Sequence, residues 1–151
     1  MITIEQLKEI QQRADKLKQY LAIDEKRVQL EEEELRTQDP GFWEDAKAAE
    51  AQMRKVKSIK AWIEGYEGVR AATEELQLAF DYCKEELVTE DEVDAAYAHA
   101  LKEVEALEMK NMLSHEEDQM PAVLKIVSGA GGTEAQDWAE QLMRLYQRYC
   151  E

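Results

Sequence analysis

Ala122-Val123-Leu124-Lys125-Ile126-Val127-Ser128-Gly129-Ala130-Gly131-Gly132-Thr133-Glu134-Ala135-Gln136-Asp137-Trp138 joins a short apolar run to a glycine-rich turn and to a helical pattern that reaches Tyr149. The apolar run predicts a β-strand, and Trp138, Leu142, Leu145, Tyr146 and Tyr149 predict one apolar helix face. Strand, glycine turn and helix N-terminus together make a place where backbone N–H groups can approach a ligand closely. One strand and one helix cannot bury a domain core. The stretch therefore reads as the start of an incomplete α+β domain whose remainder lies outside these 151 residues. A lone strand leaves unpaired N–H and C=O groups on both edges. That predicts either poor order over residues 122–128 or strand-mediated self-association.

Upstream the pattern is helical throughout. Leu7, Ile10, Ala14, Leu17 and Leu21 recur at threes and fours, and the same spacing continues through Asp24, Val28, Glu31 and Leu35. This heptad seam with two polar interruptions predicts one helix over residues 3–36, opened by a Thr3/Gln6 capping box. The run Glu31 to Glu34 reads as a solvated face. Asp39-Pro40-Gly41 ends the pattern, because Pro40 restrains its predecessor and Gly41 permits a turn. Phe42 and Trp43 directly after it are expected to lock a helix corner into the core.

A second helix fits residues 43–87 along a seam of Met53, Val56, Ile59, Ile63, Tyr66, Val69, Thr73, Leu76, Phe80, Cys83 and Leu87. It would be roughly 65 Å long, with a bend or break expected at Gly65 and Gly68. Thr89 with Glu92 predicts a capping box opening a third helix whose stripe is Val93, Tyr97, Ala100, Val104 and Leu107. The fold expected is mainly α: a long antiparallel helical hairpin or three-helix coiled coil over residues 1–120. One β-strand and one α-helix of the truncated α+β domain follow over residues 121–151, with Ser114 to Pro121 as a polar linker.

Charge divides along the same line. The net charge of −15 falls as −14 on residues 1–120 and −1 on residues 121–151, counted on the sequence. The acidic bulk repels phosphate backbones and is a poor nucleic-acid binder by itself. Cys83 and Cys150 have no metal-ligand spacing and read as reduced thiols. His99 and His115 stand alone, and neither is given a catalytic role. No metal, cofactor or catalytic residue is expected. With no leader pattern and no membrane-length apolar run, the chain reads as cytoplasmic.

The glycine turn admits three chemistries. Phosphate binding fits poorly, since Gly132 is followed by Thr133-Glu134 rather than Lys-Ser/Thr, and position 134 is not the third glycine of a dinucleotide fingerprint. A structural turn, with Thr133 capping the helix and Glu134 and Asp137 complementing its dipole, fits well. A base-recognition turn fits too, because N–H groups beside a carboxylate can hydrogen-bond the edge of an unpaired base.

The string SGAGGTEAQDWAEQLMRLYQRY over residues 128–149 resembles the start of the decoding superdomain of bacterial class I peptide chain release factors. Gly-Gly-Thr-Glu-Ala-Gln-Asp-Trp over residues 131–138 resembles the branch of that family that reads UAA and UGA. Asp39-Pro40-Gly41-Phe42-Trp43, between two helices, is similar to the same family. The resemblance implies that Gly131 and Glu134 contact the first uracil of a stop codon in an intact factor, with Gly132 and Thr133 supporting the turn. It implies as partners the ribosome and the mRNA stop codon. It further implies that residues 1–120 reach the GTPase-associated region of the large subunit and meet the class II release factor.

Members of the family read the later codon bases with Ser-Pro-Phe and promote peptidyl-tRNA hydrolysis with Gly-Gly-Gln. Neither string occurs in these 151 residues, so the chain is expected to be an N-terminal portion, inactive alone. The competing expectation is a stand-alone acidic helical interaction or adaptor module, resting on the heptads and the charge of residues 1–120.

Overall fold

A computed structural model describes residues 1–114 and 121–151 and divides the chain into two compact units, Met1–Ser114 and His115–Glu151. The first unit holds α1 (Ile4–Tyr20), α2 (Ile23–Thr37), α3 (Ala46–Lys84) and α4 (Glu90–Met112). Capping boxes open α1, between Thr3 and Gln6, and α4, between Thr89 and Glu92. The linker and the boundary expected near residue 120, along with His115, involve residues 115–120, which lie outside the described residues.

Side-chain contacts fix the directions of the helices. Gly65 faces Leu107 and Gly68 faces Glu103, so α3 and α4 run antiparallel. Gln11 donates to Gln77 at 2.6 Å, and Lys60 pairs with Glu34 at 2.5 Å while Arg27 reaches Glu67. α3, roughly 58 Å long, is the spine. The main core joins Leu7, Ile10, Ala14 and Leu17 of α1 to Tyr66, Val69, Leu76 and Phe80 of α3 and Val93, Ala100, Val104 and Leu107 of α4. α2 covers the first half of α3, where Ala49, Val56 and Ile59 are buried.

The single helix expected over residues 3–36 is two helices. Ala22 takes a left-handed conformation, φ 47° and ψ 52°, which costs a non-glycine residue about 1–2 kcal/mol. The reason is burial. Leu21 and Ile23 are 4% and 0% exposed, and residues two apart cannot share one face of a continuous helix. The break lets both enter the interior. Lys26 donates to the freed Leu21 carbonyl at 2.5 Å, and Lys18 reaches Asp24 across the gap at 3.2 Å. Downstream the buried face of α2 is set by Ile23 and Glu33, so Val28 and Leu35 of the expected seam point outward, 58% and 64% exposed.

The expected break at Gly65 and Gly68 does not occur, and α3 runs unbroken from Ala46 to Lys84. The glycines serve close packing instead: a Cβ on residue 65 would stand 3.1 Å from a Leu107 methyl. The aromatic corner also differs. Phe42 is half-buried, whereas Trp43 is 68% exposed and meets Phe42 edge-on at 4.8 Å between ring centroids. Their turn lies at the end of the α2–α3 pair, away from the core formed by α1, α3 and α4.

The second unit corrects the expected fold class. Among its described residues there is no β-strand: residues 121–129 carry no regular structure, and the one element is α5 (Gly132–Cys150). A strand exists only as a hydrogen-bonded ladder, and no neighbouring strand is present among the described residues to supply one. Val123 is 97% exposed and Val127 72%. The expected strand-mediated self-association therefore lacks the strand edge from which it was inferred. No residue of α5 is buried, and Trp138, Leu145, Tyr146 and Tyr149 all lie exposed.

Candidate functional site

The turn that leads into α5 is built by two glycines with different duties. Gly131 is the residue before the helix, at φ −86° and ψ 13°. A Cβ there would sit 2.8 Å from the Ala135 Cβ, a separation that side chains do not tolerate. Gly132 has space around it but a φ of +63°, the left-handed region where glycine alone is unstrained. Both positions thus need glycine, one for room and one for dihedral freedom.

Residues 131–134 are all exposed, and Glu134 lies in the first turn of α5. There the unpaired N–H groups and the positive end of the helix dipole favour its carboxylate. The helix begins without a side-chain cap. Thr133 does not play the capping role expected of it, because the helix starts one residue before it. What the turn presents to solvent is a set of N–H donors beside one carboxylate acceptor. Such a surface can pair with a group that carries acceptors and a donor side by side, and its carboxylate repels a phosphate anion.

The other polar constellations hold the first unit together. Arg13 donates through Nε and Nη2 to both Glu108 oxygens at 2.9 and 2.7 Å, tying α1 to α4 and holding the Glu108 carboxyl below its ordinary range. Glu33, 4% exposed, accepts from Gln52 and from Lys55 at 2.6 Å. Those two contacts hold its carboxyl below the ordinary range as well. In the sequence Glu33 belongs to a run that reads as a solvated face, and its burial departs from that. Its partners on α3 could be sensed only after the helix break had moved it inward. Burial pushes the Tyr66 phenol up.

Lys110 lies over the Trp62 ring at 4.5 Å. Cys83 is half-buried, and Cys150 and His99 are exposed. Among the described residues no three His, Cys, Asp or Glu side chains cluster as metal ligands, and no helix is long and apolar enough to cross a membrane.

The PCRF domain matches residues 25–151 of this chain. Peptide chain release factor 2 of Staphylococcus aureus strain COL is 31% identical over 155 residues, covering 97% of this chain and 42% of that protein. Peptide chain release factor 2 of Aromatoleum aromaticum is 34% identical over 152 residues, covering 97% of this chain and 41% of its own length. The same factor of Pseudoalteromonas translucida is 35% identical over 152 residues, with 98% and 41% covered. The chain thus spans about two fifths of the length of these relatives.

Proposed function

We propose, because this chain belongs to the PCRF domain family, that it is the N-terminal part of a translation termination factor that reads UAA and UGA on the ribosome. The observation that carries the reading is the turn at Gly131–Glu134, where N–H donors and a carboxylate stand together in solvent. A uracil edge offers carbonyl acceptors beside an N–H donor, the complement of that array. Cytosine lacks the N–H at the matching ring position, so the Glu134 carboxylate is the discriminating group. Gly131 brings the backbone close, and Gly132 and Thr133 shape the turn.

The hydrolytic step belongs to a Gly-Gly-Gln loop outside these 151 residues, and this part alone does not release peptide. The helical unit docks the factor at the GTPase-associated region of the large subunit and meets the class II release factor, all in the cytoplasm where translation proceeds. The acidic adaptor reading is not favoured, because the family match runs through residue 151 and includes the turn.

A hybrid that joins this chain to the remainder of the Staphylococcus aureus factor tests the role of the turn. Glu134→Ala in that hybrid should lower the preference for UAA over CAA by roughly 10–100-fold, as expected for a charged hydrogen bond worth about 1.5–3 kcal/mol. An unchanged preference in a folded, active hybrid contradicts the assignment.

A further inference from the structure

The seven-residue repeat of the N-terminal helices does not end where the core stops using it. Past the break at Ala22 it continues as Asp24, Val28, Glu31 and Leu35, but on the side of α2 that faces away from α3. Val28 is 58% exposed and Leu35 64%, and Glu25 and Glu32 flank them on the same exposed face. Isolated exposed apolar residues are ordinary. Two of them at heptad spacing, alternating with carboxylates along three turns, form the seam a second helix reads.

Asp24, at the start of the seam, is neutralised like the carboxylates on the α3 side of the helix, whereas those around Val28 and Leu35 are not. Asp24 is engaged by Lys18 and Arg27, Glu33 by Lys55, and Glu34 by Lys60. Among the described residues, Glu25, Glu31 and Glu32 have no basic side chain within ion-pair distance. The seam therefore presents uncompensated negative charge around two apolar anchors.

We propose that this face of α2 is a docking surface for one amphipathic helix of a basic protein. The partner helix would set apolar residues against Val28 and Leu35 and lysines or arginines against Glu25, Glu31 and Glu32. Charge complementarity selects this occupant. A second copy of α2 would oppose carboxylate to carboxylate, and an RNA backbone or an anionic bilayer would be repelled in the same way. The inference rests on the surface of α2 alone and does not depend on the termination reading.

The test uses the whole 151-residue chain and a helical peptide with leucines at heptad spacing and lysines between them, with a scrambled peptide of equal composition as reference. Binding is read by calorimetry at several salt concentrations. The chain should bind the heptad peptide about tenfold more tightly than the scrambled one. Val28→Thr with Leu35→Gln, which leaves net charge unchanged, should cost about tenfold, as should Glu31→Lys with Glu32→Lys. Glu75→Lys with Glu85→Lys, the same charge change on exposed sites of α3 and its end, should change affinity less than twofold. All substituted residues are exposed, and a thermal melt establishes that each variant folds. Equal loss from both lysine pairs would reduce the effect to bulk acidity and overturn the proposal. So would no binding, indifference to the Val28/Leu35 change, or self-association through this face in sedimentation.

Discussion

Ala135 stands where a side chain on residue 131 would have to go: its Cβ lies 2.8 Å from the position of a Cβ at Gly131. One turn of α5 thus sets the identity of the residue that precedes the helix. Gly131→Ala is expected to shift the start of α5, and adding Ala135→Gly should restore it by reopening the space. Gly132→Ala meets no neighbour but is strained at φ +63°, by about 1–2 kcal/mol. Amide exchange at residues 136–138 should speed up roughly 5–30-fold in Gly132→Ala, and Ala135→Gly should not rescue it. Rescue of both by Ala135→Gly would contradict the division of duties.

The end of α3 invites a stabilising change. Leu87 N–H bonds the Tyr82 carbonyl at 2.9 Å and Glu86 N–H bonds the Cys83 carbonyl at 3.1 Å, the paired closure that favours a left-handed residue between them. Glu86 fills that place at φ 60°. Glu86→Gly should stabilise the first unit by about 0.5–1 kcal/mol and raise Tm by a few degrees. Ala22→Val, which places a branched side chain at φ 47°, should lower Tm. A fall in Tm for Glu86→Gly would mean that the glutamate side chain contributes more than its backbone strain costs.

The left-handed Ala22 also marks where the sequence pattern misleads. Leu7, Ile10, Ala14, Leu17 and Leu21 declared their burial through spacing, and Thr3 and Thr89 declared helix starts through capping chemistry. Nothing in Leu21-Ala22-Ile23 signals a break, because the cause is tertiary: two apolar residues on opposite sides of an ideal helix both gain from burial. The apolar run over residues 122–127 fits a strand by composition, but ladder pairing depends on a neighbour that local pattern cannot supply. At the candidate site the need for glycine at 131 and 132 was legible as a turn. Its separation into space and dihedral required the position of Ala135.

The buried carboxylate of α2 predicts a pH response. Glu33 has a folded-state pKa below its ordinary 4.5, held down by Gln52 and then by Lys55. Glu108 is lowered by Arg13 in the same sense. A lowered carboxyl favours the folded state above the ordinary value, and that contribution is lost as pH falls through the lowered one. Thermal melts of the chain should hold a plateau above about pH 5 and decline below pH 4.5. Glu33→Gln should melt lower at pH 7 and decline less steeply in acid. An identical acid slope in the variant would show that Glu33 is not among the groups that set it.

The most direct measurement of the central claim is codon-dependent peptide release by the hybrid of this chain with the remainder of the Staphylococcus aureus factor. Release on UAA and UGA is expected well above that on CAA and CGA, with none from the 151-residue chain alone. A hybrid that melts cooperatively and binds ribosomes, yet releases on no stop codon or as well on CAA as on UAA, would contradict the reading.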